Sequence, residues 1–130
     1  MQRSFSAVAS FWNRQAMHEL SLVMSVLNIV EEYAAKHGFE KVNSLKLSFG
    51  RLSCIEPSAL EFAFSIQSKE TRADGASLEF DIRPIIVSCL ACNDDSLLPS
   101  YPGLCPSCGS GDVVLKGGIE ELTLVEIDVD

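Results

Sequence analysis

Basic residues are scarce in this 130-residue chain: ten Lys+Arg stand against eighteen Asp+Glu, a formal charge of −8. The attraction to a nucleic-acid backbone or an anionic membrane therefore has the wrong sign, which excludes generic binding to either. Long hydrophobic runs are missing too, and nothing approaches the roughly 18–20 apolar residues that cross a bilayer. There are only two histidines, His18 and His37, and one tryptophan, Trp12. No phosphate loop, Ser/His/Asp set or His-rich catalytic metal site can be assembled, so the reading is not an enzyme. Internal repeats and low-complexity tracts are also absent. What the chain does have is 47% hydrophobic residues, enough for a folded globule, and five cysteines.

The first sixteen residues, MQRSFSAVASFWNRQA, differ in kind from the rest, with Arg3 and Arg14 but no acid. Without these two, eight basic and eighteen acidic residues remain in 17–130, a formal charge of −10. Ser6 and Ser10 interrupt the apolar stretch and argue against a secretory signal, and the segment is short for a transit peptide. It reads as an unstructured extension, or as the product of a start assigned upstream of Met17.

From Met17 the pattern turns helical. Leu20, Val23, Met24, Leu27, Val30, Tyr33 and Ala34 recur at three- and four-residue spacing, and Gly38 suits the left-handed residue that ends such a helix. Leu45, Leu47 and Phe49 alternate with polar neighbours as a strand. Pro57 opens a second helix with Leu60, Ala63, Phe64 and Gln67 on one face. Asp74-Gly75 marks a turn, and Leu78, Phe80 and Ile82 alternate as a second strand. In the final strand the step from Leu124 to Ile127 breaks alternation and predicts a bulge. The order predicts an α+β fold, two helices packed on a small β-sheet, with an inserted four-cysteine zinc-ribbon module. The predicted boundaries are an extension at 1–16, an α+β domain at 17–86 plus 119–130, and a zinc-binding domain at 87–118.

Cys89-Leu90-Ala91-Cys92 and Cys105-Pro106-Ser107-Cys108 are two C-x-x-C pairs separated by twelve residues. A two-residue spacer lets both sulfurs of one turn point at a common centre, and two such knuckles can close on one tetrahedral Zn(II). The segment between them has few hydrophobes, so the metal must supply the folding energy, on the order of 10–16 kcal/mol. Disulfides would need an oxidising compartment, which the want of a convincing secretion signal does not support. A redox C-x-x-C would open a helix after a strand, whereas Cys105 follows a Pro-Gly-Leu loop. Structural zinc is the expected occupant. A lone thiol, Cys54, reads as a small buried hydrophobe without a metal role.

Three features occur here in one order: Met17-His18-Glu19-Leu20-Ser21 heading the first helix, GRLSCIEPSALEFAF at 50–64, and the two knuckles. With the closing ELTLVEIDVD they resemble the nickel-insertion metallochaperones of hydrogenase maturation, the HypA/HybF family. The resemblance spans 17–130. It implies a cytoplasmic metallochaperone, monomeric or homodimeric, that carries Ni(II) as transient cargo and Zn(II) as a structural ion. It implies a nickel site at Met17, His18 and Glu19, a zinc site at Cys89, Cys92, Cys105 and Cys108, and no nucleic-acid or membrane partner. The implied partners are a nickel-handling GTPase and the large subunit of nickel–iron hydrogenase, in some organisms also urease maturation proteins. The chemistry is sensible, because Ni(II) favours planar nitrogen donors and a Met-His-Glu terminus offers amine, amides and imidazole. As written Met17 is internal, so its nitrogen is an amide. The alternative is a zinc-ribbon interaction module without nickel delivery, although Asp94, Asp95 and Asp112 outnumber Lys116 around the knuckles, where such modules usually carry basic residues.

Overall fold

The computed structural model of the chain describes residues 3–11 and 19–130. The elements run β1 (Arg3–Phe11), α1 (Glu19–His37), β2 (Val42–Gly50), α2 (Pro57–Gln67), β3 (Ser77–Arg83), β4 (Ile85–Cys89), β5 (Asp95–Leu98), β6 (Val113–Gly117) and β7 (Leu122–Val129). They form two sheets, one ordered β1-β7-β2-β3 and the other β5-β4-β6. In the larger sheet β2 runs parallel to β3 and antiparallel to β7. No helix among the described residues is long and apolar enough to cross a membrane.

The main core lies between this sheet and the two helices. Leu45, Leu47 and Phe49 of β2 and Leu122, Leu124, Ile127 and Val129 of β7 meet Leu22, Val26 and Val30 of α1 and Leu60 and Phe64 of α2. The strand period places every second residue on this face. The bulge expected in the final strand is present: Lys46 pairs with Glu126 but Leu47 with Leu124, leaving Val125 as the extra residue. That single insertion allows 122 and 124 and also 127 and 129 to point inward. Pro57 occupies the first turn of α2, and Gly38, with φ of 73°, donates to the Ala34 carbonyl at 2.8 Å to close α1.

Three expectations are corrected. The stripe of α1 that faces the core is Leu22, Val23, Val26, Val30 and Ala34, while Leu20 and Met24 are exposed. Apolar residues surround the first half of this helix, so spacing alone admits several stripes, and packing on β2 and β7 selects one. Cys54 is exposed, not buried, because it sits in the turn between β2 and α2 with φ of 66°. The extension is not unstructured across Arg3–Phe11. It forms β1, antiparallel to β7, from Arg3 opposite Val129 to Phe11 opposite Leu122. Serines and small residues gave this segment a weak signal, and an existing sheet edge supplies the pairing that its own pattern did not advertise.

The smaller sheet starts at Ile85, directly after β3 and Pro84. Its core is slight: Ile85, Val87 and Leu98 are buried, with Leu52, Val113 and Leu115 packed against them. Leu52 comes from the segment after β2, so the two sheets meet there. At the same junction the Gly50 amide donates to Glu120 and the Leu52 amide to Gly118, at 2.9 and 2.8 Å.

Candidate metal centre

The end of β4, the turn after it and the loop before β6 bring the four predicted cysteines together. Their sulfurs all lie within 4.8 Å of one another. Cys89 and Cys108 are 3.6 Å apart at sulfur, and Cys92 and Cys105 are 3.8 Å apart. A tetrahedron with metal–sulfur bonds of ~2.3 Å has sulfur–sulfur edges of about 3.8 Å. A disulfide would need ~2.05 Å. The spacing suits four thiolates around one ion.

The two knuckles are built alike. The Asn93 amide donates to the Cys89 carbonyl at 2.9 Å, and the Gly109 amide donates to the Cys105 carbonyl at 2.8 Å. The Cys89 amide reaches the carbonyl of Asp94 and the Cys105 amide that of Ser110, five residues on in each case. Asn93 and Gly109, each following the second cysteine of its pair, take φ of 65° and 78°. Glycine adopts this conformation freely, and asparagine is among the few other residues that tolerate it. The position one past the second cysteine of each pair is the signal in the sequence for this duty, and it falls on Asn93 and Gly109. No helix begins at Cys105.

Electrostatics divide the cluster, lowering the Cys105 thiol and raising those of Cys92 and Cys108. Backbone amides, that of Cys108 foremost, lower the Cys105 thiol to about 7. For Cys92 the Asp94 backbone pulls downward, but removal from water and the three neighbouring thiols prevail and push it up to about 12. Four sulfurs this close cannot all ionise unless a metal ion supplies positive charge. Nearby, Lys116 of β6 pairs with Asp95 of β5, and this contact, with the Ser88 hydroxyl, lowers the Asp95 carboxyl. The charged pair spans β4 and ties the strands that carry the first knuckle.

Of the predicted nickel residues, Glu19 is the first residue of α1; Met17 and His18 lie outside the described residues. Glu19 borders a shallow apolar groove with Leu20, Ala59, Phe62, Ala63 and Ile66. Gln67 of α2 donates to the Leu20 carbonyl at 3.1 Å and fixes the two helices together at this end.

An α+β body joined to a small sheet bearing four clustered cysteines placed to hold a metal ion defines a metal-binding protein. Comparison with known proteins makes the class specific. Residues 17–129 match the family model described as hydrogenase/urease nickel incorporation, metallochaperone, hypA, and the chain belongs to that family. The hydrogenase maturation factor HypA of Syntrophus aciditrophicus is 54% identical over 114 residues, covering 88% of this chain and all of the relative. HypA 2 of Bradyrhizobium diazoefficiens is 40% identical over the same length and coverage. Among solved structures, one titled as the solution structure of HypA protein superposes with a TM-score of 0.62 at 25% identity, over 88% of this chain and 98% of that one. The nickel metallochaperone HypA of Helicobacter pylori superposes with a TM-score of 0.56 at 24% identity, over 87% and 97% of the two chains, and shares the fold.

Proposed function

We propose that this hydrogenase maturation factor binds Ni(II) at the Met17-His18-Glu19 head and helps insert it into nickel–iron hydrogenase, with Zn(II) held permanently by Cys89, Cys92, Cys105 and Cys108. It acts in the cytoplasm as a carrier, with 17–86 plus 119–130 handling nickel and 87–118 handling zinc. The observation that carries the zinc assignment is the clustering of four sulfurs within 4.8 Å of one another, with two separations, 3.6 and 3.8 Å, that suit a ~2.3 Å metal–sulfur bond. The thiolate set also separates the two metals, because it satisfies zinc fully and leaves nickel to nitrogen and oxygen donors.

The head follows a different logic. His18 offers an imidazole, and Glu19 a carboxylate at the first turn of α1. With residues ahead of it, Met17 contributes an amide, a far poorer donor at neutral pH than an α-amine of pKa ~7.7–8.0. Nickel on the full chain is therefore expected to be six-coordinate and weakly held, as suits cargo that must be released. Calorimetric titration with Ni(II), read alongside absorption spectra, should find one site that His18→Ala abolishes while zinc content stays the same. Equal nickel binding by His18→Ala would remove the Met-His-Glu assignment. A 17–130 form with a free Met17 amine is expected to bind more tightly, with a planar, nitrogen-rich spectrum.

Partner recognition is read from charge. On the sheet side opposite the helices, Glu126 pairs with Lys46, which pairs in turn with Glu79, and Thr123 pairs with Ser48, which pairs with Asp81. Acids outnumber bases on this surface even with Asp81 paired to Arg83 at 3.3 Å, which fits a basic patch on a nickel-handling GTPase. Such attraction is screened beyond ~8 Å at physiological salt, so the association rate should fall as salt rises. Stopped-flow mixing with the GTPase checks this, and a rate indifferent to ionic strength would discard the charge argument.

A further inference from the structure

The family match begins at residue 17, whereas β1 covers Arg3–Phe11. Take β1 away and β7 becomes a sheet edge, with a row of unpaired backbone groups. The segment that fills this edge is also held by two alternate side chains. Arg3 donates through Nη1 to the His37 carbonyl at 2.8 Å, at the C-terminus of α1, where a cation meets the negative end of the helix. Two residues on, Phe5 rests on the His37 ring at 4.5 Å between centroids, with Tyr33 at 5.7 Å and Phe39 at 5.9 Å. Ser4 and Ser6, on the opposite side, fall across from Asp128 and Glu126.

These are the marks of strand addition: main-chain pairing along an edge for affinity, and contacts of alternate side chains for specificity. We propose that the β7 edge and the C-terminal end of α1 form a docking groove for an extended segment of the pattern Arg-x-aromatic, and that this chain's own residues 3–6 are its ligand. The small hydroxyls between the anchors matter as well. Asp128 and Glu126 would repel an acidic strand, including the β7 edge of a second copy, whereas serine is neutral and short. Covalent linkage gives the cis ligand an effective concentration on the order of millimolar, so the groove is filled at rest. An outside segment must displace β1 to enter.

The test uses the full chain and a fluorescein-labelled peptide of residues 1–11. In wild type the groove is occupied and the peptide should bind poorly. Arg3→Ala/Phe5→Asp should expel β1, raise hydrogen exchange at the β7 amides, and bind the peptide at least ~10-fold more tightly by anisotropy, the amides regaining protection as it binds. A peptide with the same two substitutions should bind neither protein. Should the double variant lose its helical dichroism, Phe5→Ala alone serves the same comparison. Equal binding of the peptide to wild type and variant, no binding to either, or unchanged exchange at β7 would overturn the proposal.

Discussion

Cys105→Ser is expected to release the zinc, one ion per chain, and to unfold the sheet of β4, β5 and β6 while α1, α2 and the larger sheet persist. Cys105 is buried and is the thiol that backbone amides hold lowest, so its loss removes the thiolate most ready to bind. The magnitudes decide the outcome. Ile85, Val87 and Leu98 are the buried apolar residues of the smaller cluster. At ~1.5–3 kcal/mol each they contribute less than a four-thiolate zinc, which supplies on the order of 10–16 kcal/mol. Elemental analysis should show zinc falling from one equivalent to none. Amide exchange should rise by several orders of magnitude over 85–117 and little over β2 and β7. Iron in the parent protein would refute the metal assignment, and a retained zinc in Cys105→Ser would refute the ligand set.

Gly50→Ala is expected to do comparable damage with no metal involved. Gly50 ends β2 where the chain returning from the smaller sheet crosses it. A Cβ there would overlap the Gly118 carbonyl group and come within 2.7 Å of the Glu120 nitrogen. The obstacles are backbone atoms of Gly118 and Glu120, whose carbonyls already accept from the Leu52 and Gly50 amides, and cannot swing aside. Gly118 itself has φ of 100°, and a Cβ added there would lie 3.0 Å from the Ile85 Cα, so the other segment of the crossing is also close, though less so than at Gly50. Overpacking costs about 1–3 kcal/mol where side chains can adjust, and here it should reach at least the upper end. A fall in melting temperature on the order of 10 °C is expected by calorimetry. Melting within 2 °C of wild type would show that the crossing is looser than its geometry states. Gly38→Ala is the contrast, since an added Cβ there meets nothing and only the left-handed backbone objects.

Local pattern made a large part of this architecture legible. Each C-x-x-C is a single turn whose geometry follows from its spacing, so the metal ligands could be named without a fold. Pro57 and Gly38 delimit helices through their own backbone preferences, and the two-residue period of β2 survives because one face of that strand is buried. The break between Leu124 and Ile127 announced a bulge because a strand that keeps its core face across an extra residue must skip one position.

Tertiary structure decided what local pattern left degenerate. Helix α1 is apolar on more than one side in its first half, and only contact with β2 and β7 determines that Leu22 and Val26 go inward while Leu20 and Met24 stay in water. Residues 3–11 carry too weak a signal to declare a strand, because an edge strand draws its stability from the neighbour it joins; β7 and the end of α1 exist only after the chain has folded. Gly50 looked like one glycine among eight until the 118–120 segment came to lie across it. Spacing within a turn is a property of the sequence, and so the thiolates were readable; which surface meets which is set by elements far apart in the chain, and so the helix face, the edge strand and the glycine crossing were not.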